Sequence, residues 1–160
     1  MKFELRMAVE GEIPLILQFI RDIAEYERMS DQVVATEELL REWLFEKKIA
    51  QVLIASCDGK DAGFALFFHN FSTFMGRAGL YLEDIYVRPE YRGQGLGKLF
   101  FRTLAQIAAE RGCGRMEWSC LNWNEPSIRF YQSMGAVAME DWTVYRLSGE
   151  ALARLGESSV

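Results

Sequence analysis

Cysteine, histidine and proline are scarce in this sequence, which has three, one and three of them among 160 residues. Cys57, Cys113 and Cys120 are odd in number and lack a CxxC spacing, so we expect reduced thiols, with neither a disulfide framework nor a metal site. A Ser-His-Asp or Cys-His hydrolase is disfavoured as well. The single histidine, His69, follows an apolar strand pattern, and no second histidine could replace it.

Long hydrophobic runs and a basic charge balance are also missing. No apolar run approaches the ~20 residues needed to span a bilayer, and residues 1–4 lack a signal-peptide core, so we expect a cytoplasmic protein with no membrane partner. The net charge of −5 disfavours nucleic acid as a partner and is compatible with a cationic amine substrate. The length predicts one domain over residues 1–155, followed by a loose tail at 156–160.

A strand followed by a glycine-rich turn and a helix occupies the middle of the chain. Residues 81–87 are rich in β-branched and aromatic side chains, and the run stops at Pro89. Three glycines follow, at 93, 95 and 97. Apolar positions then recur with helical spacing at Leu96, Leu99, Phe100, Leu104, Ile107 and Ala108.

This arrangement predicts an anion site, because a helix begins with unpaired N–H groups and the positive end of its dipole. Neither common nucleotide loop fits the sequence. A Walker A loop would need glycine at Arg92 and a hydroxyl residue at Leu99, and the GxGxxG fingerprint would need glycine at Lys98. The motif that does fit is R-x-x-G-x-G, formed by Arg92, Gly95 and Gly97.

A second motif, WNEPSI-x-FY followed by GA, begins at Trp123 and ends at Ala136. With R-x-x-G-x-G before it, the chain resembles the GNAT superfamily of acyl-CoA-dependent N-acyltransferases, and in particular its diamine and polyamine acetyltransferase branch. The resemblance extends from Arg6 to about Leu152. It implies an acetyl-CoA-dependent N-acetyltransferase that needs no metal, acts on a small-molecule amine and forms a homodimer.

The remaining patterns agree with an α/β fold of the GNAT type, a mixed central sheet of about six to seven strands with helices on both faces. Residues 64–68 are apolar on both strand faces, so we expect that strand to be central. Strands are predicted at 3–7, 51–57, 62–69, 81–87, 115–121, 136–139 and 142–147. Helices are predicted at about 12–27, 36–47, 96–111 and 124–135, with a short one from Gly149.

The resemblance also implies which residues hold the cofactor. The pantetheine arm would lie along Ile85, Tyr86 and Val87 as an added strand, and the Asn124 side chain would contact the cofactor. The pyrophosphate would bind the loop formed by Arg92, Gly93, Gln94, Gly95, Leu96, Gly97 and Lys98.

Catalysis requires a neutral amine, and a primary amine of pKa near 10.4 is only ~0.1% neutral at pH 7. Glu83 and Asp84 are adjacent carboxylates in an apolar strand, so at least one is oddly placed for a core strand, unless a bulge lets both reach water. We expect Glu83 to act as base through water or to orient the ammonium, with Asp84 binding substrate. By resemblance, Tyr131 is the acid, and Tyr26 and Glu27 line the amine pocket.

One departure from the resembled branch concerns the substrate. Polyamine-acetylating members carry an acidic residue in the loop where this chain has residues 72–75, Ser-Thr-Phe-Met. A shorter diamine or a lysine-like amino acid is therefore at least as good a candidate as a long polyamine. A protein or peptide N-acetyltransferase and a non-catalytic acyl-CoA sensor remain alternatives, although retention of Glu83 and Tyr131 argues against the sensor.

Overall fold

The computed structural model describes residues 2–157 and contains two compact units that meet in sequence at Leu121 and Asn122. The first unit carries a five-stranded sheet in the order β1-β2-β3-β4-β5, antiparallel except for the parallel pair β4–β5. Its strands are β1 (Phe3–Met7), β2 (Gln51–Cys57), β3 (Lys60–Ser72), β4 (Arg77–Val87) and β5 (Met116–Trp118). The predicted central strand, β3, is the middle one.

Local turn chemistry joins β2 to β3. Asp58 and Gly59 both have positive φ, 50° and 81°, which is the backbone of a two-residue type I′ turn. Cys57 pairs with Lys60 across that turn. The predicted hairpin at this place is confirmed.

Three α-helices accompany the sheet in the described part of the first unit: α1 (Ile13–Tyr26), α2 (Glu37–Leu40) and α3 (Leu96–Glu110). Pro14 lies in the first turn of α1, where its missing N–H costs no helical bond. Thr36 caps α2 by accepting a hydrogen bond from the Leu39 N–H, as predicted. The predicted helix continues past α2, with Arg41–Glu46 wound as a π-helix.

Neighbouring residues of β3 show that α1 and α3 cover opposite faces of the sheet. The Phe64 ring stacks on Phe19 of α1 with ring centres 5.2 Å apart, whereas a Cβ on Gly63 would lie 3.4 Å from Phe100 of α3. Successive strand residues point to opposite faces, so the two helices do as well. The α1 side of the core is completed by Ile16, Val52 and Ile54.

Strand β5 is shorter than the predicted strand at 115–121. It pairs with β4 only along Leu80–Leu82, and the pairing ends immediately before Glu83. At Glu83 the β3–β4 ladder contains a bulge, since Leu66 pairs with Asp84 and Phe67 with Leu82. A bulge bends and twists its strand, which accounts for the early separation of β5 from β4.

The second unit contains α4 (Glu125–Ser133) and α5 (Gly149–Glu157), so the predicted helix from Gly149 is confirmed. The hairpin predicted at 136–139 and 142–147 is wrong, because this segment has no strand and its apolar side chains are exposed, Tyr145 by 92%. Residues that favour strands form one only when a neighbouring strand takes up their backbone hydrogen bonds. Residues 2–157 therefore hold five strands rather than six or seven.

Of the predicted tail, Gly156 and Glu157 belong to α5, whereas 158–160 lie outside the described residues. Within the part of the chain that the structure describes, no helix combines the length and apolar character needed to cross a membrane.

Candidate active site

The turn between β4 and α3 leads into a helix that begins without a side-chain cap. Gly93 and Gly95 have φ values of 75° and 89°, and a Cβ on either would meet nothing within 4 Å. Gly95 is the N-cap of α3 in a left-handed conformation, and no side chain caps the helix. A helix start leaves the first-turn N–H groups, here those of Leu96, Gly97 and Lys98, without partners inside the helix, which is the arrangement that binds an anion.

The last residues of β4 present a free strand edge beside this turn. The Arg88 N–H bonds to the Ala62 carbonyl of β3, so by strand alternation Ile85 and Val87 direct their backbone groups to the opposite edge. Among residues 2–157, β5 pairs with that edge only up to Leu82. An extended, amide-containing chain could bind there as an added strand, which suits a pantetheine arm.

Three carboxylates, two in β4 and one directly after α1, influence one another at the bulge. Burial, with further contributions from Glu83 and Glu27, raises the pKa of Asp84 to about 7. Burial and then Glu83 raise the pKa of Glu27, which directly follows α1. The Glu83 side chain is exposed, whereas Asp84 is half-buried. Such a cluster favours a cation, because a bound ammonium relieves the repulsion among the carboxylates.

Arg92 connects the glycine turn to both α1 and β4. Its Nε donates to the Val87 carbonyl at 2.8 Å, and its guanidinium carbon lies 5.3 Å from the ring centre of Tyr26 and 5.3 Å from that of Tyr86. Sequence reasoning placed Arg92 at the pyrophosphate and missed its contact with Tyr26. No local signal could have revealed the contact, because it joins distant parts of the chain.

Asn124 and Tyr131 both lie in the second unit, Asn124 directly before α4 and Tyr131 within it. The buried Asn124 caps that helix, its Oδ1 accepting from the Ser127 N–H at 3.5 Å. Tyr131 is half-buried, with its ring centre 5.8 Å from that of Phe130. The Tyr131 carbonyl accepts from the Ala136 N–H where the helix ends.

His69 makes contacts suited to a structural role. Its Nδ1 lies 3.0 Å from the Gly79 carbonyl and its Nε2 lies 3.0 Å from the Arg111 guanidinium. Both contacts are satisfied when Nδ1 carries the proton and Nε2 accepts. The three cysteines are free, and within 2–157 no cluster of three or more His, Cys, Asp or Glu could hold a metal ion.

The sequence model of the acetyltransferase (GNAT) family matches residues 17–136, three quarters of the chain. The chain belongs to the GNAT family. Its membership makes it an acetyl-CoA-dependent N-acetyltransferase, and the free edge of β4 and the open glycine turn fit that cofactor. The resemblance inferred from the two motifs is thereby confirmed, as is the fold class.

Two GNAT relatives cover nearly the whole chain. A thialysine N-epsilon-acetyltransferase from Bos taurus is 38% identical over 94% of this chain and 95% of its own length. An L-ornithine N5-acetyltransferase from Arabidopsis thaliana is 29% identical, over 98% of this chain and 89% of its own.

The fold recurs in solved structures. An integron cassette protein from the mobile metagenome of V. cholerae superposes with a TM-score of 0.81 at 27% identity, covering 99% of both chains. An aminoglycoside acetyltransferase from an uncultured soil metagenomic sample gives a TM-score of 0.77 at 19% identity, over 92% of this chain and 97% of its own. At that identity the second likeness concerns the fold alone.

Proposed function

We propose that this protein transfers an acetyl group from acetyl-CoA to the primary amine of a small molecule by direct attack in a ternary complex. The amine is a diamine, a polyamine or a lysine-like amino acid. The observation that carries the proposal is the carboxylate cluster of Glu27, Glu83 and Asp84, two members of which directly precede the free edge of β4 within one compact unit. The relatives named for thialysine and ornithine, both amino acids with a side-chain amine, support a substrate of this size.

The residues assigned to the cofactor lie in two places, the free edge of β4 and the loop that leads into α3. Ile85 and Val87 offer backbone groups to the pantetheine arm, with Tyr86 between them, and one of these N–H groups polarises the thioester carbonyl. The diphosphate is held by the N–H groups of the loop formed by Arg92, Gly93, Gln94, Gly95, Leu96, Gly97 and Lys98. Bound acetyl-CoA supplies the acetyl group as a thioester. Asn124 is assigned a cofactor contact from its motif position.

The amine enters as an ammonium ion and must lose its proton. Direct proton transfer from an ammonium of pKa near 10.4 to a carboxylate of pKa near 4.3 is unfavourable, because the two pKa values differ by about six, or ~8 kcal/mol. Glu83 is exposed, so water can reach it, and we assign it the role of water-mediated base. Asp84, Tyr26 and Glu27 bind the substrate, because the carboxylates attract its charge and the ring packs on its chain.

Tyr131 is assigned the general acid from its place in the WNEPSI-x-FY motif. A phenol of pKa near 10 and a thiolate of pKa near 8.5 differ by about 1.5 pH units, or ~2 kcal/mol. A charge-assisted hydrogen bond in a dry site offsets a mismatch of that size. The phenol then protonates the departing thiolate.

The deciding experiment measures release of free CoA thiol from acetyl-CoA with a panel of amines. The panel contains lysine, thialysine, ornithine, putrescine, spermidine and a peptide with a free N-terminus but no lysine. We expect release with at least one small amine and none with the peptide. Release with the peptide alone would indicate a peptide acetyltransferase, and acetyl-CoA binding without release would indicate a sensor. The expected homodimer is checked on the same sample by light scattering.

A further inference from the structure

Arg92 is bound on three sides by groups from two different elements. Its Nε donates to the Val87 carbonyl at the end of β4, and its guanidinium carbon is 5.3 Å from each of the Tyr26 and Tyr86 ring centres. Tyr26 is the last residue of α1, and Arg92 opens the glycine turn. One planar side chain therefore joins the end of α1 to the strand and turn assigned to the cofactor.

The end of α1 is also where the proposed amine site begins. Glu27 follows Tyr26, and Arg28 takes a left-handed conformation with φ 62°. The Arg28 N–H bonds to the Glu25 carbonyl and the Met29 N–H to the Ala24 carbonyl, which closes the helix. Those bonds are made by the backbone, whereas the Tyr26 ring lies against the Arg92 guanidinium. Arg92 therefore helps to fix the position of this end of α1.

We infer that Arg92 is a positioning residue that holds Tyr26 and Glu27 in place for the amine, and so connects the cofactor turn with the amine site. The inference rests on the proposed function. It assigns Arg92 a second role besides any attraction of its charge for the diphosphate. Because binding energies are linked reciprocally, a turn ordered by the cofactor then strengthens amine binding, and the amine strengthens cofactor binding.

Arginine is suited to this contact where lysine is not. A guanidinium is planar, so it stacks on two rings while its Nε donates to a carbonyl. A lysine ammonium keeps the charge but has neither the planar faces nor the fixed Nε–H. Since Arg92 occupies the Val87 carbonyl, the N–H groups of Val87 and Ile85 remain for the cofactor arm.

The exchange Arg92→Lys separates positioning from charge. We expect the KM for the amine to rise at least about fivefold, and to rise by clearly more than the Kd for CoA measured by calorimetry. An unchanged amine KM would overturn the inference. So would a loss of CoA affinity as large as the rise in amine KM, because that pattern is expected if the Arg92 guanidinium binds the diphosphate through paired N–H groups that lysine lacks.

Arg111→Lys is the matched control. Arg111 also lies over an aromatic ring, with its guanidinium carbon 5.7 Å from the Phe67 ring centre, and it bonds to Gln51 and His69. It follows the C-terminal end of α3, whereas the glycine turn precedes the N-terminal end. We expect Arg111→Lys to leave the amine KM unchanged, and a rise equal to that of Arg92→Lys would count against a specific role for Arg92.

Two further readouts separate this role from a general loss of structure. In a Tyr26→Leu background, adding Arg92→Lys should change the amine KM by less than about twofold, because the contact is already gone. Amide hydrogen exchange at Arg28 and Met29 should quicken in Arg92→Lys and not in Arg111→Lys. Unchanged exchange there would overturn the inference even in an active enzyme, whereas a wild type that acetylates no amine would overturn the proposed function.

Discussion

Asp84 is half-buried, and its surroundings in the folded protein disfavour the ionised form of its carboxyl group. Its pKa is raised to about 7 by burial and by the neighbouring Glu83 and Glu27. In the unfolded chain an aspartate titrates near 3.9. Between these values the folded protein binds more protons than the unfolded chain, so the contribution of Asp84 to stability, fully present below about pH 4, is lost as the pH rises to about 7.

Asp84→Asn removes this pH dependence, because asparagine stays neutral. The variant and the wild type should have similar free energies of unfolding near pH 4.5. At pH 8 the variant should be more stable by ~2–4 kcal/mol, the upper figure being the full difference between the two pKa values. Urea unfolding at both pH values measures the effect. Equal stability at pH 8 would show that Asp84 ionises without penalty.

The sequence identified Glu83 and Asp84 as a pair but could not say which of them is buried. Strand alternation alone sends adjacent residues to opposite faces. The bulge decides the outcome, because Glu83 is the extra residue that pairs with nothing on β3, whereas Asp84 pairs with Leu66. A bulge depends on the registers of two strands together, and a single segment of sequence does not contain that information.

Tyr131→Phe tests the proposed acid by removing one hydroxyl group. Turnover with the best amine should fall at least about tenfold, because the thiolate then leaves without a proton from the phenol. The Kd for CoA should stay within about twofold, since a phenyl ring of nearly the same shape remains. Steady-state kinetics and calorimetry provide the two measurements. Full turnover in the variant would remove Tyr131 from this role.

At the scale of elements, the sequence predicted what local chemistry determines. Asp58-Gly59 was recognised as a turn because both residues tolerate positive φ, and Thr36 as a helix cap because its hydroxyl can accept an N–H. Residues 136–147 are rich in β-branched, aromatic and other apolar side chains, as hairpin strands are, yet they form no strand. The composition of this segment alone therefore could not decide whether it pairs.

Gly63 lets β3 lie close to β4, the strand assigned to the cofactor. A substitution at Gly63 therefore tests the position of β4. A Cβ there would lie 2.4 Å from the Tyr86 carbonyl oxygen, so Gly63→Ala should displace β4 and destabilise the fold by ~1–3 kcal/mol. CoA affinity should fall with it, because Ile85–Val87 form the free edge. Gly11→Ala is the control, since a Cβ at Gly11 meets nothing within 4 Å. Equal urea midpoints for the two variants would contradict this account.

At the scale of the whole molecule, binding at the glycine turn should stabilise the folded chain by mass action. CoA at 100 times its Kd adds ~2.7 kcal/mol to the free energy of unfolding, which for a chain of this size raises Tm by about 5–10 °C. Pantetheine at the same concentration should give a much smaller shift, because it lacks the diphosphate that the N–H groups after Gly95 are proposed to hold.

Gly95→Val tests whether this stabilisation depends on the turn. Gly95 has φ 89°, a conformation that a β-branched residue adopts only under strain, so the N-cap of α3 must rearrange and the donors move apart. We expect this variant to have a lower Tm and no CoA-dependent rise, measured by scanning fluorimetry. An undiminished rise would place the diphosphate elsewhere. Because Arg92→Lys leaves the turn glycines unchanged, it should keep the rise, which separates the anion site from the link to the amine.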